Sequence, residues 1–299
     1  MRVVAVLNRD GGTFKTTDME SYCDTLRRSF SARGGEIDCR PTSGKEIVDA
    51  LEDAAGEDKY DALIAGGGDG TVSAATSIAW KKGKPLGVLP AGTMNMFARA
   101  LGLPLDLEQA ADALAEADQS PCDIATANGR PFVHQFSVGM QPRIIGDRNS
   151  FQYYSRIGKM IAGLRATLAT FHRPPAFPAR IATDDDRLEG RYSLIVVSNN
   201  LYGDGHLPYA DDLSGGALGL GQAAPLKPHQ NLQLIADFVI GNWRANPDFE
   251  MAPARSVTLE FPKLTRKAKA TIDGELVRLE KNVELKIHPG ALTVLKPKP

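Results

Sequence analysis

The strongest constraint on this chain is an alternation. Strand-like runs at Val3–Leu7, Glu36–Arg40, Ala62–Ala65 and Leu86–Leu89 are each followed by residues with helical spacing. The first run is continuously apolar and rich in Val, as expected of a strand covered on both faces. Thr17-x-x-Glu20 and Ser43-x-x-Glu46 are capping boxes that open the first two helices. Met19, Cys23, Leu26 and Phe30 mark the apolar face of the first. Further helices run to about Trp80, over Asn95–Leu101 and over Leu107–Ala117. Strands separated by helices need crossover connections, which predict a parallel, doubly wound α/β sheet.

The pattern changes at Asp123. Ile124–Ala127 and Pro131–Val138 flank Asn128-Gly129, the dipeptide of a tight hairpin. Ala179–Thr183, Tyr192–Ser198, Ser256–Phe261, Lys269–Ile272, Glu275–Leu279 and Val283–Ile287 are further strand candidates. Helical stretches near Tyr153–Phe171 and Leu232–Trp243 interrupt them. The 299 residues therefore divide into an α/β domain, 1–122, and a mainly antiparallel β domain, 123–299. The net charge of −1 argues against a nucleic-acid partner. It is unevenly spread: 1–122 carries a net −6 and 123–299 a net +5, which suits the second half to an anionic surface. No apolar run reaches the roughly 18 residues of a membrane span, and the N-terminus lacks the length and cleavage site of a signal peptide. Cys23, Cys39 and Cys122 show no metal-ligand spacing, and their odd number is expected to mean reduced, cytoplasmic thiols.

Three small-residue loops follow three of the strands. Gly66-Gly67-Gly68-Asp69-Gly70-Thr71 leaves a buried strand and enters a helix. Glycines there let backbone N–H groups approach a ligand, and the helix start adds partial positive charge, so the loop suits a phosphate. It is neither a Walker A loop nor the dinucleotide fingerprint. A carboxylate among phosphate-binding glycines repels phosphate unless a cation or a catalytic role compensates. The plainer alternative is a tight turn with Asp69 as a helix cap. Pro90–Asn95 and Asn8–Gly12 occupy the equivalent places after their own strands, and loops at neighbouring strand ends converge on one crevice.

These motifs in this order resemble the diacylglycerol kinase catalytic-domain family. The match runs through Gly67-Gly68-Asp69-Gly70-Thr71, Pro90-x-Gly92-Thr93-x-Asn95-x-Phe97-Ala98-Arg99, Leu101-Gly102-x-Pro104, Asp123-Ile124 with Asn128-Gly129, and Asp273-Gly274-Glu275. The resemblance implies ATP-dependent phosphorylation of a lipid hydroxyl in a cleft between the two domains. It puts ATP phosphates on Asn8, Gly11, Gly12, Gly67, Gly68, Asp69, Gly70, Thr71 and Thr93, and matches Thr42 to a further nucleotide-contacting position. It makes Glu275 the proton acceptor, and Asp69 a catalytic residue that contacts ATP-bound Mg²⁺. Three departures stand out: Ser73-Ala74 where the family often has Asn-Glu, Met96 where it often has Asp, and Gly215-Gly216-Ala217 where a structural Mg²⁺ would need a carboxylate. Asp211 and Asp212 lie near that last gap. Diacylglycerol, ceramide or a related lipid alcohol is the expected acceptor. A soluble NAD kinase-like enzyme and a non-catalytic nucleotide- or lipid-binding protein are the alternatives.

Residues 143–180 hold seven Lys/Arg (Arg143, Arg148, Arg156, Lys159, Arg165, Arg173 and Arg180) against one acid, Asp147. Ile157, Met160, Ile161, Leu164, Leu168 and Phe171 fall at helical spacing among them. Such a basic amphipathic stretch is expected to lie on an anionic membrane, or to pack its apolar stripe on the second domain. The expected location is therefore cytoplasmic, peripheral on the inner membrane face. His206 reads as a loop residue.

Overall fold

The structure, a computed structural model, describes residues 1–150, 175–205 and 207–298. The helix expected over Tyr153–Phe171 and the loop position of His206 lie outside them.

The N-terminal strands are β1 (Arg2–Asn8), β2 (Glu36–Thr42), β3 (Ala62–Gly67) and β4 (Leu86–Pro90). They pair in parallel in the order β2-β1-β3-β4. Val3–Leu7 are fully buried because helices cover both faces of the sheet. One face packs α1 (Met19–Ser31) with α5 (Leu107–Ala115), and the other packs α2 (Ile47–Gly56) with α3 (Asp69–Lys82). The short α4 (Met96–Ala100) follows β4. The doubly wound α/β expectation holds, with local corrections. The first helix is capped by Asp18, whose carboxylate accepts from Glu20 N and Ser21 N at 3.1 and 3.3 Å, and not by Thr17. In the second box, Ser43 Oγ donates to Glu46 Oε2 at 2.6 Å and the helix begins at Ile47.

The thiol expectation is also corrected. Cys23 on α1 and Cys39 on β2 form a disulfide, with Cα atoms 5.7 Å apart. Sequence spacing carried no sign of this, because the pair is made when α1 packs against the edge strand. Cys122 is buried, and desolvation with the adjacent Asp123 carboxylate pushes its thiol up to about 12.

The second half is an antiparallel sandwich. β5 (Asp118–Ala127) turns through Asn128 and Gly129, both at positive φ, into β6 (Arg130–Phe132). Positive φ at both central residues is what a type I′ hairpin needs. The expected arm Pro131–Val138 is broken, because β7 (Gln135–Gly139) leaves for a second sheet. After α6 (Met140–Ser150) come β8 (Phe177–Thr183), β9 (Arg187–Tyr192), β10 (Leu194–Ser198) and β11 (Leu218–Ala223). The expected strand Tyr192–Ser198 is thus two, parted at Ser193. Next are α7 (Pro228–Ile240), β12 (Glu250–Ala254), β13 (Ser256–Glu260), β14 (Lys269–Ile272), β15 (Glu275–Arg278) and the long β16 (Asn282–Lys296). The second sheet has the order β12-β11-β10-β7-β14-β15. It shares a core containing Phe136, Ile195, Leu259 and Leu285 with β13, β8 and the first half of β16.

The sequence boundary at Asp123 falls inside β5, which pairs with β16 along nearly its whole length. The register shifts between His288 and Leu292, and Gly290 sits there at positive φ. Asp123, 1% exposed, fills the irregularity: its carboxylate accepts from Gly290 N at 2.8 Å and Gly216 N at 2.7 Å. Beyond the shift, β16 runs parallel beside β4, Val294 opposite Leu86. Leu292, Val294 and Leu295 are buried in the N-terminal core. Among the described residues no helix is long and apolar enough to cross a membrane.

Candidate active site

Backbone contact brings the three small-residue loops together. Gly12 has φ +49°, and a Cβ there would lie 1.6 Å from the Ala91 carbonyl oxygen, so glycine is required on both counts. Thr13 N donates to that same oxygen at 2.7 Å, tying the first loop to the third. A Cβ on Gly92 would lie 2.6 Å from Gly68 Cα, so the second and third loops touch through bare backbone. Asn8 Nδ2 donates to Thr71 Oγ1 at 3.1 Å, fastening the first loop to the opening turn of α3. Asn8, Gly11, Gly12, Gly67, Gly68, Gly70, Thr71 and Thr93 therefore share one rim. Thr42 lies opposite Asn8 in the β1–β2 register, and its hydroxyl donates to Arg40 O at 3.2 Å.

Asp69 is the first residue of α3, yet its carboxylate serves α4. Oδ2 accepts from Asn95 N at 3.1 Å and Oδ1 from Met96 N at 2.7 Å. Asn95 takes φ +52° and closes its own ring with Gly92: Gly92 N donates to Asn95 Oδ1 and Asn95 Nδ2 to Gly92 O. Each Asp69 oxygen keeps room for a further donor or cation. Among the described residues no group of three or more His, Cys, Asp or Glu side chains is placed to hold a metal. In the segment before β11, Asp211 accepts from Asp204 N, and Asp212 from Ser214 N and Oγ.

The second domain meets this rim through the turn between β14 and β15. Asp273, 8% exposed and at φ +48°, accepts four bonds. His134 N and Gln135 N reach Oδ1 at 2.9 and 3.1 Å; Val133 N and the Ser73 hydroxyl reach Oδ2 at 3.1 and 2.9 Å. Ser73 lies on α3, so this carboxylate links the two domains. The departure at Ser73 thus has a partner of its own. Two residues on, Glu275 is ion-paired with Arg130 at 3.0 Å. Its Oε1 lies 3.6 Å from the position a Gly70 Cβ would take, so it stands over the phosphate-type loop from the other domain.

The two candidate acids face different hollows. Glu275 lines an open groove of about 290 Å³ with Ser73, Ser77 and Arg130. Asp69 lines a cavity of about 250 Å³ with Asp273, His134 and the apolar Met96, Phe97 and Val133. Burial pushes the His134 imidazole down from its usual range, opposed by the Asp273 and Asp69 carboxylates. His134, Gln135 and Gln141 are site-lining residues that sequence reasoning missed, and Ser73, noted there as a departure, lines the groove with Glu275. Nothing local marks them, since the turn at Asp273 assembles them from distant segments.

Residues 2–127 match the family model described as the diacylglycerol kinase catalytic domain. A diacylglycerol kinase of Staphylococcus saprophyticus is 32% identical over 160 residues, 51% of each chain. One from Staphylococcus epidermidis is 32% identical over 160 residues, covering 51% of this chain and 49% of that one. This chain thus spans about half the length of these curated relatives. Among solved structures, a diacylglycerol kinase from Bacillus anthracis superposes with TM-score 0.71 at 19% identity, covering 100% of this chain and 97% of that one.

Proposed function

From a chain whose residues 2–127 match the diacylglycerol kinase catalytic domain, we propose an ATP-dependent lipid kinase that phosphorylates a lipid alcohol of the diacylglycerol or ceramide type. The observation that carries this reading is Glu275 standing over Gly70 from the opposite domain. Phosphoryl transfer rests on positioning and charge stabilisation, with a group to take the nucleophile's proton. In this reading the backbone N–H groups of Gly11, Gly12, Gly67, Gly68 and Gly70, with Asn8, Thr71 and Thr93, hold the nucleotide phosphates at the start of α3. Thr42 lies at the edge of the same rim. Asp69 fits as one carboxylate toward Mg²⁺, a cation that takes a few carboxylates together with phosphate oxygens. When bound, Mg²⁺ neutralises charge on the phosphates.

Glu275 accepts the proton of the lipid hydroxyl, and Arg130 orients it through the 3.0 Å ion pair. General-base catalysis contributes roughly 10²–10⁴-fold. Purified full chain is given labelled ATP and a lipid extract, then the acceptor it selects. Glu275→Gln is expected to lower kcat by at least about a hundredfold with ATP affinity nearly unchanged. Loss of ATP binding with turnover intact at saturation would make Glu275 a ligand-positioning residue and move the base to Asp69. The basic excess over residues 143–180 supports action at an anionic membrane face.

A further inference from the structure

The two sheets of the second domain part at the end away from the catalytic rim. β7 spans the distance. Gln135 at its start lines the cavity of Asp69, while Val138 and Gly139 at its finish line a separate cavity of about 460 Å³. At about 3.3 Å per residue, Gln135 and Gly139 lie roughly 13 Å apart. No described residue lines both this cavity and either hollow at the catalytic site. Its floor is the core of the sandwich. Val138 and Leu279 come from the side of β7 and β15, and Phe177 and Phe261 from the side of β8 and β13. The two phenyl rings lie 6.1 Å apart. Leu264 and Ala268, partly buried, pack on the same core and form the mouth.

The rim has one sign of charge. The connection from Phe261 to Lys269 holds Lys263, Arg266, Lys267 and Lys269 and no acid. Its three lysines line the cavity with Arg143 of α6, and among the described residues no Asp or Glu does so. The lysines are exposed, and their side chains make no ion pair among the described residues. Residues 151–174, which lie in sequence between the lining Gly146 and Pro175, add four cations and no acid, so the neighbouring sequence strengthens the positive field. Inorganic phosphate would use this rim and leave the floor bare. A neutral lipid would use the floor and leave the lysines without a counter-charge. An anionic phospholipid matches both, because lysine ammonium groups bind phosphate as point charges and apolar walls take a hydrocarbon chain. We propose that the open end of the sandwich binds one anionic phospholipid, with an acyl chain between the sheets and the headgroup phosphate on Lys263, Lys267 and Lys269. This lipid site is distinct from the one for the phosphoryl acceptor, and it needs no nucleotide.

The test titrates dihexanoylphosphatidate, kept below its micelle concentration, into the full chain by calorimetry. No ATP is present, so the outcome is independent of the kinase reading. Saturable binding of one lipid per chain is expected at this site. Inorganic phosphate lacks the chains and dihexanoylphosphatidylcholine lacks the net charge, and each is expected to bind at least about tenfold more weakly. Neutralising the rim with Lys263→Gln, Lys267→Gln and Lys269→Gln together is expected to weaken phosphatidate binding at least about tenfold. Leu264→Asn, which makes the mouth polar and leaves the charge unchanged, is expected to weaken it about threefold or more. Circular dichroism checks that each variant is folded. No saturable binding, or parental binding in either folded variant, would overturn the site. Inorganic phosphate binding as tightly as phosphatidate would make the rim a plain anion site and overturn the lipid assignment. Phosphatidylcholine binding as tightly would overturn the role given to the lysines.

Discussion

Asp69 carries two duties. Its carboxylate caps α4 through Asn95 N and Met96 N while facing the cavity. Asp69→Ala is expected to abolish phosphate transfer, while the cap it removes is worth only about 0.5–2 kcal/mol. Circular dichroism and an activity assay on one preparation separate the two, and near-parental turnover would reject the catalytic role. His134 provides a pH signature. Its imidazole is pushed down in the fold by burial, whereas the unfolded chain binds a proton near pH 6.5. The unfolded state therefore holds more protons below about pH 6.5, and stability drops as pH falls from there toward the depressed folded value. Urea midpoints from pH 8 to 5 are expected to slope less in His134→Asn, and an unchanged slope would count against this account. Residue-level reading of the sequence singled out Asp69, Thr71 and Glu275 because each lies in a short contiguous motif. It did not reach His134, Gln135 or Gln141, whose place depends on where β7 leaves one sheet for another.

At the scale of elements, the turn between β14 and β15 is the joint of the site. Asp273→Asn keeps the shape but sets an NH₂ group against some of the four donors. Leaving buried donors unsatisfied costs about 1–3 kcal/mol each, so a loss of at least about 2 kcal/mol is expected by urea titration. Ser73→Ala removes one bond of the four and is expected to cost less, within about 2 kcal/mol. The reverse ranking would show that the α3 contact, and not the β7 backbone, holds the turn. Elements were legible where one period ran unbroken: β1, β3, β4 and the helices between them lie within a few residues of expectation. They were not legible where a strand changes sheets, as after Phe132 and at Ser193, because alternation continues while its partner changes. The Cys23–Cys39 bond belongs here too. It joins α1 to the edge strand β2 across a separation of 16 residues, and for such a loop about 3 kcal/mol is expected. A reductant is therefore expected to lower the urea midpoint of the parent but not of Cys39→Ser.

For the whole molecule, charge is the first consideration. If the basic segment 143–180 meets an anionic leaflet, each surface cation contributes about 1 kcal/mol. Vesicle sedimentation is expected to weaken with salt and with charge reversal at Arg156, Lys159 and Arg165. Sedimentation indifferent to both would exclude this segment as the membrane face. The second consideration is how β16 ends. Its residues Leu292, Val294 and Leu295 lie in the N-terminal core, and Leu→Ala at such a site costs about 2–5 kcal/mol. The sheet that carries the phosphate-type loops is thus finished by residues about two hundred positions after β4, whose neighbour they become. On a ribosome, N-terminal domains ordinarily fold first. Here the first sheet emerges with β4 as an open edge, a template for unwanted pairing, and waits through the whole sandwich for the strand that seals it. The region matched by the family is consequently a poor choice for expression by itself, and its isolated polypeptide is expected to aggregate where the full chain does not.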